Sequence, residues 1–176
     1  MRSVKVWDPF VRVFHWGTAL LFLANMFLLD EDGRAHAVAG YVLFGLVLAR
    51  LVWGLVGTEH ARFSAFRPSA AEVLAHLKGL ITGRREVHLS HNPLGAVMVY
   101  NLLATLLAIC VTGLMLESDA FWGIAWVEEL HEVLANYATL CVGLHIAGVL
   151  LETRLSRVNL VKAMLTGRKD IPDQVS

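Results

Sequence analysis

A chain of 176 residues that is 56% hydrophobic and only 17% charged departs from soluble domains, which carry roughly 45–50% apolar and about 25% charged residues; lipid is the expected solvent. Fifteen Lys and Arg offset fifteen Asp and Glu, giving a formal charge of zero, and no nucleic-acid partner is expected. The two cysteines, Cys110 and Cys141, stand alone in apolar blocks without a Cys-x-x-Cys. That excludes a zinc knuckle, a disulfide framework and the Cys-x-x-Cys-His attachment of c-type haem.

Spanning helices are expected at about 13–29, 36–57, 94–116 and 131–152, each near the ~20 residues that cross ~30 Å of hydrocarbon at 1.5 Å per residue. The first block runs into Asp30, Glu31 and Asp32 instead of a small-residue cleavage site, so it is expected to be retained as a span. Asp30 to Ala35 forms a tight acidic turn, and Thr58 to Pro93 a long basic connection. Within that connection Pro68, Ser69 and Glu72 make a helix start of the Ser-x-x-Glu type, leading through Val73, Leu74, Leu77, Leu80 and Ile81 to a stop at Gly83. An amphipathic helix over about 69–82 is expected to lie on the membrane surface. The connection from Glu117 to Leu130 is acidic and carries Phe121, Trp122 and Trp126, residues suited to a membrane interface. The tail over 159–166 repeats the amphipathic character, with Lys162, Arg168 and Lys169 available to anionic headgroups. The expected fold is an all-α membrane protein: a four-transmembrane-helix bundle with a surface amphipathic helix between spans two and three, forming one membrane domain over 1–176.

Four spans put both termini on one side. Of the fifteen Lys and Arg, only Arg34 lies in the connections after spans one and three, where Asp30, Glu31, Asp32, Glu117, Asp119, Glu128, Glu129 and Glu132 collect. The positive-inside rule then makes both termini and the middle connection cytoplasmic. The acidic outer face suits a basic soluble partner.

Four of the eight histidines, His15, His36, His131 and His145, fall within or at the ends of the spans, where ionisable residues are costly and mark function. Any one of them alone reads equally well as a neutral imidazole hydrogen-bonded between helices. The spacing says more. His131 and His145 are 14 residues apart, so at about 100° per residue they share a helix face, separated by about 21 Å along the axis. Span direction sorts the four by depth: His15 with His145 near the inner side, His36 with His131 near the outer. Two axial imidazoles at each of two depths are what two planar porphyrins between helices require, and bis-histidine ligation favours electron transfer over chemistry at iron. Zinc or copper would need further carboxylate or thiolate ligands, and only Glu132 is at hand.

Gly40, one turn after His36, and Gly143, before His145, with Gly17, Gly45, Gly113 and Gly148, offer flat surfaces for a macrocycle, although small residues also serve helix packing. Arg50 is placed either to snorkel to the inner interface or to neutralise a propionate. His91, before Asn92 and Pro93, is placed to hydrogen-bond a propionate or a quinone, or to serve the loop structurally. His60, His76 and His88 are expected to be solvated.

The chain resembles the bacterial cytochrome b561 family and the related cytochrome b subunits of nickel–iron hydrogenases. The resemblance rests on Val6-Trp7-Asp8-Pro9 with Arg12 and Phe14-His15-Trp16, on His36, Gly40 and Arg50-Leu51, on His91-Asn92-Pro93-Leu94-Gly95 with Thr112-Gly113, and on Leu130-His131-Glu132 through Leu134-Ala135-Asn136 to His145. It implies a four-helix bundle with two non-covalent haem b groups, axially ligated by His15, His36, His131 and His145. It further implies an electron-transfer subunit of the bacterial inner membrane that exchanges electrons with a quinone at one face and a periplasmic c-type cytochrome, another redox protein or a hydrogenase at the other. Two other functions stay open: a stand-alone superoxide:quinone oxidoreductase, and a haem-free metal carrier or scaffold.

Overall fold

The computed structural model describes residues 2–82 and 89–171; Gly83, the expected helix stop, and His88 lie outside them. Six helices and two short strands follow in the order β1 (Arg2–Lys5), α1 (Pro9–Phe27), α2 (Arg34–Val56), α3 (Ala70–Ile81), α4 (Pro93–Leu116), α5 (Ala125–Ser156), α6 (Leu160–Thr166) and β2 (Arg168–Ile171), with a 3₁₀ turn at Phe63–Phe66. The protein is all-helical in its bulk, and α1, α2, α4 and α5 are long and apolar enough to cross a membrane.

Local chemistry sets the helix starts. Asp8 accepts a hydrogen bond from the Val11 N–H at 2.8 Å and Pro9 follows it, a pairing that satisfies an orphan donor and removes another. The first helix therefore begins at Pro9, a turn before its apolar stretch. Asn92 and Pro93 repeat the device for α4, with Asn92 Oδ1 accepting from the Gly95 N–H at 2.6 Å. Ser69 caps α3 through the Glu72 N–H at 3.2 Å, and Asn159 caps α6 through the Lys162 N–H at 2.8 Å. The longest helix, α5, has 32 residues, about 48 Å at 1.5 Å per residue, so it overhangs a ~30 Å hydrocarbon layer.

The spanning helices pack in succession, α1 on α2, α2 on α4 and α4 on α5. Their shared core holds Phe22 from α1, Leu43 and Val47 from α2, Leu106, Ile109 and Cys110 from α4, and Ala138 from α5. The outward faces expose Leu20, Phe27, Val52, Leu55, Leu140, Leu144 and Leu150; a contiguous apolar exterior of this kind is the surface lipid covers.

A second core gathers at the end that carries both termini. The strands β1 and β2 pair antiparallel, Arg2 opposite Ile171 and Lys5 opposite Arg168. The N–H groups of Val6 and Trp7 both donate to the Gly167 carbonyl, at 2.8 and 3.1 Å. Val6, Trp7, Val11 and Ala61 are buried there against Trp53 and Met164. Two expectations change at this end. His76, expected in solvent, is only 5% exposed, and its Nε2 lies 3.9 Å from the Glu152 carboxylate, which brings α3 against the end of α5. Lys169, expected among headgroups, is 4% exposed: strand pairing turns it inward, where its Nζ donates to the Ser90 carbonyl at 2.8 Å.

Candidate haem-binding sites

The four histidines come from three helices and meet in two pairs. His15 of α1 faces His145 of α5 with ring centroids 6.2 Å apart, and His36 of α2 faces His131 of α5 at 6.4 Å. Among the described residues, neither α1 nor α2 packs closely against α5, so each pair looks across a gap between helices. Two imidazoles bonded to opposite sides of one metal at about 2.0–2.1 Å each place their centroids roughly 6.3 Å apart, and both pairs match that span.

The surroundings fit a flat group held by the same rings. A Cβ added at Gly40, Gly45, Gly143 or Gly148 would meet nothing within 4 Å. His15 and His36 bury their Nδ1 atoms with no hydrogen-bond partner among the described residues. No group of three or more His, Cys, Asp or Glu residues among the described residues could hold a metal ion, so neither pair has the further ligands that zinc or copper would take. Both cysteines are buried and free. Cys141 accepts from Asn101 Nδ2 at 3.2 Å, and Tyr137 donates to Asn101 Oδ1 at 2.8 Å, a polar bridge from α4 to α5 between the two pairs.

The termini end is strongly polar behind the His15–His145 pair. Arg50 does not snorkel: it is 3% exposed, donates through Nη2 to the Ala61 carbonyl at 3.0 Å, and lies over the Phe63 ring at 4.9 Å. Its Nη1 is buried with no hydrogen-bond partner among the described residues. Asp8 accepts from Thr58 Oγ1 at 2.6 Å and Trp53 Nε1 at 3.0 Å; burial alone would raise its carboxyl, but the bonds from Thr58, Val11 and Trp53 outweigh it and hold the group below the usual carboxylate range. His91 packs between Trp7 at 4.8 Å and Phe66 at 4.5 Å. Burial first, then the charges of Lys169 and Arg50, push it down to about 3, so it is neutral, and its Nδ1 is buried with no hydrogen-bond partner among the described residues. Burial also pushes Lys169 down to about 8, with Glu152 opposing, and its ammonium sits 5.6 Å over Trp7.

On the outside of this end, a cavity of about 300 Å³ is lined by Pro9, Arg12, Val13, Trp16 and Leu165. Arg12 donates to the Leu165 carbonyl, and Trp16 stands edge-on to His15 at 5.0 Å. At the opposite end, His131 Nδ1 lies 2.9 Å from Thr112 Oγ1. Asp8 and Thr112 entered the sequence reading only through motifs of the family resemblance and Lys169 only as a headgroup contact, since the place of each depends on a contact with another segment.

Four long apolar helices carrying two facing pairs of half-buried imidazoles define a multi-pass membrane protein with room for a group between the rings. The chain belongs to the prokaryotic cytochrome b561 family, which it matches over residues 6–167. It is similar to proteins called probable Ni/Fe-hydrogenase B-type cytochrome subunit. With that of Bradyrhizobium diazoefficiens it shares 23% identity over 97% of this chain and 87% of the relative. With that of Azotobacter vinelandii it shares 23% over 97% and 92%, and with that of Azotobacter chroococcum 24% over 97% and 92%. No solved structure matches the chain significantly. The protein is thus a membrane b-type cytochrome of electron transport, with haem b as its cofactor.

Proposed function

We propose that the chain binds two haem b groups, one between His15 and His145 and one between His36 and His131, and carries electrons across the bacterial inner membrane between a quinone and a soluble redox partner. The observation that carries this reading is the pair of ring separations, 6.2 and 6.4 Å, at two levels of one bundle. When bound, the haems would supply one-electron ferric–ferrous chemistry, with His15 and His145 holding one and His36 and His131 the other. The chain's own residues hold the rings, exclude water and supply charge. Arg50, with its unmet Nη1, is the cation for a propionate of the termini-side haem, and His91 is a neutral hydrogen-bonding group beside it.

With both termini cytoplasmic, as the distribution of Lys and Arg directs, the His15–His145 pair faces the quinone side. The lipid-facing cavity at Arg12 and Trp16 is the better quinone seat, because His91 is enclosed by Trp7 and Phe66. The acidic opposite end suits a periplasmic c-type cytochrome or another redox protein with a basic face. The relatives' name brings in a hydrogenase as a possible partner; their alignments run over 216 to 222 positions against 176 residues here, so they carry inserted residues that this chain lacks. The same acidity disfavours a superoxide oxidoreductase, whose substrate is an anion.

A reduced-minus-oxidised spectrum with haem quantitation on the detergent-purified protein tests the reading. Two low-spin b-type haems per chain are expected. His15→Ala and His131→Ala should each leave one, and an unchanged haem content in either variant would refute that pair.

A further inference from the structure

We propose that Thr112 and Gly113 form a seat that fixes the tautomer and plane of His131, and so lower the midpoint potential of the haem on the His36–His131 pair relative to one whose ligand lacks such an anchor. The inference rests on the bis-histidine reading above.

The Thr112 hydroxyl has a single proton. Its Oγ1 lies 3.0 Å from both the Ala108 and Ile109 carbonyls of its own helix and 2.9 Å from His131 Nδ1. With the proton shared toward those carbonyls, the oxygen offers His131 a lone pair, and the ring must be the donor. Nδ1 then carries hydrogen and Nε2 carries the free lone pair a metal needs. Thr112 is itself 4% exposed, so water does not compete for the bond.

Gly113 sets the ring's approach. A Cβ there would come within 3.3 Å of His131 Cε1, so the missing side chain gives the Nδ1–Cε1 edge of the imidazole room against α4. Nδ1 and Cε1 are thus the ring atoms held against α4, and Nε2 is the nitrogen left free for a metal. By contrast, His15 and His36 bury Nδ1 with no acceptor among the described residues.

An acceptor on the far nitrogen of an axial imidazole makes the ring a stronger donor to the metal. A stronger donor favours ferric over ferrous iron, hence the lower potential. Thr112 is a positioning residue here, acting only through His131.

The test is a potentiometric titration of the wild-type holoprotein and of Thr112→Val and Thr112→Ser, with low-temperature EPR of the oxidised samples. Thr112→Val should raise one of the two midpoint potentials and shift one of the two low-spin signals, leaving the other haem unmoved. Thr112→Ser, which keeps the hydroxyl, should restore both. Gly113→Ala should move the same signal as Thr112→Val. If Thr112→Val loses a haem, retention of both by Thr112→Ser supports the seat, and loss in Thr112→Ser overturns it. Fewer than two haems in the wild type defeats the pairing itself. Two haems with both potentials and signals unmoved in Thr112→Val leaves the pairing intact and overturns the seat.

Discussion

Asp8 shows how much one side chain does at the termini end. It caps α1 through Val11, and it also takes the protons of Trp53 and Thr58 from the next helix and its exit. Losing an N-cap costs about 0.5–2 kcal/mol, and each donor left unmet adds about 1–3 kcal/mol. Asp8→Ala should therefore destabilise the detergent-solubilised protein by at least about 2.5 kcal/mol, read as a lower unfolding midpoint. The pH dependence has a definite sign. A carboxyl held below its unfolded value, about 3.9, contributes stability above that value and loses it as pH falls through the lowered folded value. Asp8→Asn should flatten the stability profile below about pH 4 and leave it unchanged in shape at neutral pH; an unaltered acid limb would refute this. The meeting of four histidines in two pairs was legible in the sequence, because a titratable group in an apolar run is conspicuous and 14-residue spacing fixes both face and depth. Lys169 and His76 were not. Each looks solvated by its neighbours, and only contact with a segment far along the chain buries it.

Among elements, the two four-residue strands were invisible in the sequence. Arg-Ser-Val-Lys and Arg-Lys-Asp-Ile are too short and too polar to show an alternating pattern, and pairing across nearly the whole chain leaves no local mark. The four long apolar helices were legible as such, but α5 outruns its apolar stretch. There Glu128, Glu129 and Arg154 end the apolar stretch without ending the helix, since hydropathy reports membrane thickness and not helix length. The turn from α6 into β2 depends on Gly167, which adopts φ +81° and whose added Cβ would stand 2.6 Å from the Trp7 carbonyl oxygen. Left-handed backbone alone costs a non-glycine residue about 1–2 kcal/mol, and the clash adds to it. Gly167→Ala should free the strand pair, with faster amide exchange at Val6 and Trp7, the two donors to the Gly167 carbonyl. Exchange at the α4–α5 interface should not change; a uniform rise across the bundle would contradict a local role.

At the level of the whole molecule, a formal charge of zero hides two oppositely charged ends. Eight acidic residues against one arginine at the end away from the termini make association with a basic partner sensitive to salt, since the Debye length falls from about 10 Å at 0.1 M to about 3 Å at 1 M. Reduction or oxidation by a basic c-type cytochrome should slow steadily as ionic strength rises, and Glu128→Lys with Glu129→Lys should slow it further at low salt. A rate indifferent to salt would remove electrostatics from the docking. The overall division into depths was legible from span direction, whereas the order of helix neighbours, which opens the gaps opposite α5, was not. The pairing of β1 with β2 also sets a clock. At about 5–20 residues per second of synthesis, β2 emerges roughly 8–30 seconds after β1, so throughout translation of the four spans the first strand has no partner. For that interval Trp7 lacks the ammonium that later covers it and Ser90 lacks its donor, and the wall around His91 stands unfinished. The bundle is assembled with one end open, and it is shut by a strand from the other end of the chain.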